Sequence, residues 1–316
     1  MDDVLGTREN SGLDIGRFIC AILVIAIHTE PFANYIWLDR GLGIITRLSV
    51  PFFFMLTGYF FFNGSDNEKK LKHSLLRLLA LYIIWSLIYL PFNWPIESPL
   101  KSILITGVNS HLWYVPAVMF ALIIIFFLHK CLDMGKILTI ASFLLVIGTL
   151  LSTYEPIISK IIGGGHWIYG IIDIIDTRNG LFYGFFYVTL GAFLQNIKPM
   201  KIVICIRWFI MGMILLSTEI LIAVMVLNSK NTVLWITCPF AMVGMFGFFR
   251  NIYFKRKTEN IRKISSCMYF SHYIWIYLLG IQHGMLLFIT TLIISVFSSF
   301  VVVKLSIKVK GLKCLF

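Results

Sequence analysis

RFICAILVIAIH, residues 17–28, sets an arginine and a histidine at the two ends of ten apolar residues. Ten apolar residues in a row are too many for one face of a water-exposed helix, and the wider composition explains why they are tolerated. The 316-residue chain is 59% hydrophobic, 16% aromatic and only 13% charged, with a mean hydropathy of +0.87. A soluble globule of this length carries roughly twice that charged fraction. The chain therefore reads as an all-α, polytopic membrane protein, because in lipid only a helix satisfies its own backbone hydrogen bonds. The acidic start, MDDVLGTREN, has no small-residue cleavage site after the first apolar run, so no removable signal peptide is expected.

Crossing about 30 Å of hydrocarbon takes about 20 helical residues. About ten segments approach that length, at 13–33, 44–62, 75–92, 112–129, 137–153, 181–197, 203–227, 233–249, 264–282 and 285–303. The fifth also suits a re-entrant piece. With both termini cytoplasmic, twenty of the 27 lysines and arginines fall on the inner side and six in outer loops, the asymmetry that topology rules require. This divides the chain into a cytoplasmic tail (1–12), a transmembrane domain (13–305) and a basic cytoplasmic tail (306–316). The net charge of +12 lies in short clusters between apolar runs, where anionic headgroups account for it and nucleic acid need not be invoked. The six cysteines are scattered, without metal-ligand spacing, so neither a zinc site nor a disulfide framework is indicated. No internal repeat is visible, and IIGGGHWIYG lacks the Lys-Ser/Thr of a phosphate loop.

Each ionisable group at membrane depth is a functional candidate, because lipid excludes it unless it faces protein. Eleven helical steps bring His28 back to within about 20° of Arg17, about 16 Å farther along the axis. A cation near one surface and an imidazole deeper on the same face suit a long anionic ligand with its reactive end at the histidine. In the competing reading Arg17 snorkels beside Asp14, and His28 bonds a neighbouring helix. Glu219 in LLSTEILIAV and His272 in MYFSHYIWI lie at comparable depth, and a structural pairing suits Glu219 equally well. Toward the expected outer side lie His111 in HLWY, Arg47 ahead of SVPFFF, and Asp176, Arg178 and Asn179 in DTRNG. Simple solvation is the alternative for these, an interfacial belt for Trp113 and Tyr114, and tight helix packing for Gly58 in VPFFFMLTGYFFF.

Together the R-x10-H pattern of Arg17 and His28, the PFFFMLTGYF run with Arg47 upstream, HLWY, RNG at 178–180 and the SxxMYFSH segment resemble the membrane acyltransferase-3 family. Within it, AIHTEPF, VPFFFMLTGYF, HLWYVPAV and DTRNGLFY are similar to the membrane domains of VanT-type serine racemases of vancomycin resistance. The resemblance implies a multi-pass protein of a bacterial plasma membrane that moves an acyl group from cytoplasmic acyl-CoA, usually acetyl-CoA, to an outer acceptor such as a cell-envelope precursor. It places Arg17 in donor binding and His28 in catalysis. Lys69, Lys70 and Arg256 are candidates for the CoA phosphates, and Glu219 for orienting the His28 ring. Arg47, His111, Arg178, Asn179 and His272 are candidates for the acceptor side, with His111 or Arg178 as oxyanion donor. The racemases imply a further pyridoxal-phosphate domain, fused or separate, whose lysine-bearing barrel is not in these residues. They also imply an alternative role, the uptake of L-serine or the anchoring of that domain. For a zwitterion, Arg47, Arg178, Glu219 and Asp176 supply the charges, although inverted repeats are not apparent. No metal is expected.

Overall fold

The computed structural model describes residues 11–62, 68–96, 98–162, 176–229, 234–255 and 257–316. Among these the regular structure is entirely helical. The principal helices are α1 (Ser11–Thr29), α2 (Ile36–Thr46), α3 (Ser49–Phe61), α4 (Glu68–Tyr89), α5 (Tyr114–His129), α6 (Met134–Leu151), α7 (Glu155–Ile162), α8 (Phe185–Asn196), α9 (Ile202–Leu221), α10 (Cys238–Asn251), α11 (Glu259–Leu279) and α12 (Met285–Leu305).

A helix occupies each of the ten expected segments, and among the described residues six stretches are long and apolar enough to cross a membrane: Ser11–Thr29, Ile36–Phe61, Glu68–Phe92, Met134–Leu151, Ile202–Val226 and Met285–Leu305. The others fall short for separate reasons. Tyr114–His129 is apolar but has 16 residues, α8 has 12 and α10 has 14, while α11 carries Glu259, Arg262 and Lys263 in its first turns. Length and hydropathy therefore establish six candidate spans among the described residues. The segment at 137–153 is one continuous helix of 18 residues rather than a broken re-entrant one.

The second span starts at Ile36, eight residues before its expected boundary, and is interrupted at Arg47 and Leu48. Pro51 explains the break: its ring collides with the carbonyl four residues back, that of Arg47, so a single continuous helix is excluded. Arg47 therefore sits at a kink inside the span and not in a loop.

α3 is the centre of the bundle, with Phe52, Phe54, Met55 and Leu56 all buried, and it packs against α1, α5, α8 and α10. Its closest neighbour is α8. A Cβ on Gly58 would strike the Val188 carbonyl, and one on Gly191 would strike that of Met55, so the two glycines are what let these backbones touch. Hydroxyls inside the helices bond back to the carbonyl four residues earlier, as Thr57 does to Phe53 at 3.0 Å and Thr189 to Phe185 at 2.6 Å, which hides a polar group from lipid. At the periphery Phe143 and Phe297 are 68% exposed, a placement that lipid favours and water does not.

The basic stretch after α12 does not extend away from the bundle. It folds into a helical turn at Lys310–Leu315 and returns to α4, where Trp85 Nε1 donates to the Leu315 carbonyl (3.3 Å) and Arg77 donates to the Phe316 oxygen (3.2 Å).

Candidate functional site

α1 and α11 lie side by side, and the residues that lipid should have excluded collect along their contact. Toward the start of both helices, Arg17 opens on a cavity of about 360 Å³. Lys70 and Arg77 of α4 supply two more cations, and Phe53, Phe60, Leu78 and Phe270 give the same cavity an apolar wall. The Arg17 guanidinium has no salt bridge among the described residues, although Asp14 lies one turn away. Asp14 Oδ2 instead accepts from Thr258 Oγ1 at 2.7 Å. Three cations beside an apolar wall match an anionic head with an apolar arm; the planar guanidinium fork is suited to phosphate.

Farther along the same helices is a cluster of three imidazoles from three parts of the chain. His28 stacks on His272, with centroids 5.4 Å apart and planes at 20°, and His272 meets His111 edge-on at 5.0 Å. Tyr273 lies among all three: its ring is 4.7 Å from His28, 5.0 Å from His272 and 5.0 Å from His111. Hydrogen bonds assign the ring nitrogens. His272 Nδ1 is 2.7 Å from the Tyr269 carbonyl, so it carries the proton there, and its buried Nε2 has no partner among the described residues. His111 Nδ1 approaches Asn109 Oδ1 at 3.4 Å, and its Nε2 is likewise buried and unpaired. His28 Nδ1 bonds the Tyr273 hydroxyl at 2.9 Å.

Between cavity and cluster stands an aromatic septum. Tyr269 packs on Phe53 (5.3 Å) and Tyr114 (5.6 Å), and donates its hydroxyl to the His111 carbonyl at 2.8 Å. Tyr114 and Tyr269 both line the cavity, whereas none of the three histidines does. The expected arrangement had Arg17 and His28 in one tunnel. In the structure Arg17 lines the cavity and His28 does not, and Tyr269, which touches both the cavity and the histidine rings, lies between them.

The other candidates are distributed differently. Arg178 is held by a built turn: its N–H donates to Asp176 Oδ1 (3.0 Å), Asp176 takes a positive φ of 41°, and the guanidinium lies 5.3 Å over the Trp113 ring. Asn179 is part of the same turn. Its Oδ1 accepts from Leu181 N (2.7 Å) and Phe182 N (3.0 Å), capping the helical turn Gly180–Gly184, so this oxygen is committed to the fold rather than to a ligand. Arg47, at the α2–α3 kink, lies 5.9 Å over Trp235.

Glu219 is not with the histidines. Its buried carboxylate takes Tyr154 Oη (3.0 Å), Ile236 N (3.0 Å), Thr237 N (2.9 Å) and Thr237 Oγ1, which fastens α9 to the start of α10. A buried carboxylate needs donors, and the unpaired amides of a helix start supply them. The group that bonds the His28 ring is the hydroxyl of Tyr273, not a carboxylate. Lys69 is exposed on α4 and does not line the cavity, while Arg256 lies outside the described residues. Among the described residues no group of three histidine, cysteine or acidic side chains is arranged to hold a metal ion.

Sequence reasoning missed Tyr273, Ser110, Tyr269, Tyr114 and Arg77. Arg77 left a signal, since it falls two turns after Lys70 on one helix and so repeats its face. The tyrosines left none, because in a chain this aromatic a tyrosine in a span reads as packing.

No solved structure matches this chain. Among curated proteins it is 31% identical to an amino-acid racemase of Enterococcus faecalis, over 59% of this chain and 28% of the relative. It is 27% identical to a serine/alanine racemase of Enterococcus gallinarum, over 60% of this chain and 29% of that protein. A second amino-acid racemase of Enterococcus faecalis is 25% identical over 83% of this chain and 40% of its own length. The chain thus matches well under half the length of each relative. The family model described as an acyltransferase domain, that of the acyltransferase-3 family, matches residues 10–306, nearly the whole chain. With its membrane-spanning helices and a family match over nearly its whole length, this chain is a multi-pass plasma-membrane protein and belongs to the acyltransferase-3 family.

Proposed function

We propose that the chain transfers an acyl group, the acetyl group in the first instance, from acyl-CoA at the Arg17 end of the bundle to a hydroxyl or amine at the His28 end. In this reading the Arg17 end is the cytoplasmic one, which the distribution of lysines and arginines supports. The observation that carries the reading is the pairing on one helix: Arg17, with Lys70 and Arg77, lines a cavity that only the Tyr269 septum separates from the histidines. The three cations suit the donor's phosphates, and the apolar wall suits its extended arm. The donor supplies an activated thioester. His28 Nε2 takes the proton of the acceptor as its oxygen or nitrogen bonds the acyl carbon, and returns it to the departing thiolate as the carbon–sulfur bond breaks. Positioned bases of this kind contribute about 10²- to 10⁴-fold. Arg178, held over Trp113, is the cation this reading assigns to negative charge on the acyl oxygen.

The test uses protein in nanodiscs, with thiol release from acetyl-CoA and CoA binding measured side by side. His28→Ala is expected to abolish acceptor-dependent thiol release and leave CoA affinity unchanged. Equal loss of both would remove the division of labour between the two ends.

The racemase relatives favour a second reading, in which this membrane part passes L-serine to a racemase domain or anchors that domain. Arg47 and Arg178 would then hold the serine carboxylate. Accumulation of labelled serine in proteoliposomes without acyl-CoA would establish it at the expense of the first.

A further inference from the structure

We infer that Tyr273 and Ser110 are positioning residues that hold His28 in the tautomer with its proton on Nδ1, leaving the Nε2 lone pair for the acceptor. The inference rests on the reading of His28 as a general base and adds what makes that base competent. Neither residue belongs to the arginine–histidine pattern of α1, and they come from segments far apart in the chain.

The Tyr273 hydroxyl is held at two points, 2.9 Å from His28 Nδ1 and 2.6 Å from Ser110 Oγ. It has one proton, so it donates to one neighbour and accepts from the other. On the reading of His28 as a base at Nε2, Nδ1 carries the ring proton and donates across the 2.9 Å contact to the Tyr273 oxygen. With its oxygen engaged by that N–H, Tyr273 passes its own proton across the 2.6 Å contact to Ser110 Oγ. Read in sequence, His28 Nδ1–H donates to Tyr273 and Tyr273 O–H donates to Ser110. The hydrogen bond made by one ring nitrogen determines the state of the other.

The surroundings keep the phenol in place. Its ring lies nearly parallel to His111, at 15°, and packs on His272 and Tyr277. Ser110 is exposed, so the relay ends at the surface and its last hydroxyl can be satisfied by water. When His28 takes the acceptor's proton at Nε2, the positive charge that develops on the ring is shared with this chain through Nδ1–H. The bond therefore gains strength as the reaction proceeds, which is the property that raises kcat rather than affinity.

The experiment compares Tyr273→Phe, Ser110→Ala and Ser110→Thr with the full chain in nanodiscs, following thiol release from acetyl-CoA. The phenylalanine variant keeps the ring and its packing and removes only the hydroxyl. A bond to a group that becomes charged corresponds to about 10- to 100-fold, and kcat should fall by that factor while the donor KM stays within about twofold. Ser110→Ala should lose less, and Ser110→Thr, which keeps a hydroxyl, should restore the rate. In histidine-labelled protein, nitrogen NMR should show His28 as the Nδ1–H tautomer in the wild type and as a mixture in Tyr273→Phe. A wild type with the proton on Nε2, or a phenylalanine variant with unchanged kcat and tautomer, would overturn the inference. Absence of acyl transfer in the wild type itself would instead remove the general-base reading, so the two failures are distinguishable.

Discussion

Replacing Arg17 with glutamine removes one of the three cations that line the α1–α4 cavity and keeps most of the aliphatic stem. Its guanidinium makes no salt bridge among the described residues, so the substitution breaks no ion pair among them. The effect should appear in ligand binding and not in the stability of the bundle. A hydrogen bond to a charged group contributes about 1.5–3 kcal/mol, and at about 2 kcal/mol the affinity for CoA falls by roughly 30-fold. Titration calorimetry of CoA into nanodisc protein measures this directly. The loss should shrink at high salt, where the phosphates are screened in the wild type too. Arg17→Lys should fall between the two, because it keeps the charge and loses the planar fork. If Arg17→Gln binds CoA as tightly as the wild type while its melting temperature drops, then Arg17 is a structural residue that snorkels, and the donor does not bind in this cavity.

Two other consequences follow from the placement of side chains. Glu219→Ala strips the acceptor from two backbone amides at the start of α10, and at about 3 kcal/mol of lost stability its melting temperature should fall clearly while the folded fraction still binds CoA normally; an unchanged melting temperature with lost transfer would return Glu219 to the chemistry. Tyr269→Ala removes the central ring of the septum and joins the cavity to the histidine cluster, so acceptor-independent thiol release should rise as water reaches the thioester; folded protein that shows no such leak would mean that Tyr269 does not separate the two compartments.

Much of the architecture was legible in the residues because it depends on local rules. Hydropathy over about twenty residues marks a helix that lipid can hold, and each expected segment contains one. Eleven helical steps from Arg17 to His28 place both along the side of α1 that meets α11. The count of spans was less legible, because a helix enclosed by other helices need not be long or uniformly apolar, as α8, α10 and α11 show. The break at Arg47 was written in Pro51, four residues on, but its result, an arginine inside a span, becomes visible only when the two half-helices are placed.

The sequence by itself determined the helical class, the membrane setting and the common stripe of Arg17 and His28, since each follows from composition or from spacing within one helix. Tertiary structure alone decided which groups meet. His28, His111 and His272 come from α1, the turn before α5, and α11, and nothing in their spacing says that their rings stack. Tertiary packing also gave Glu219 to the start of α10 and His28 to Tyr273, and it set the Tyr269 ring between the Arg17 cavity and the histidines. The physical reason is that hydrogen bonds and ring contacts are satisfied by whichever partner the packed helices bring within about 3–6 Å, and that distance is set across the bundle, not along the chain.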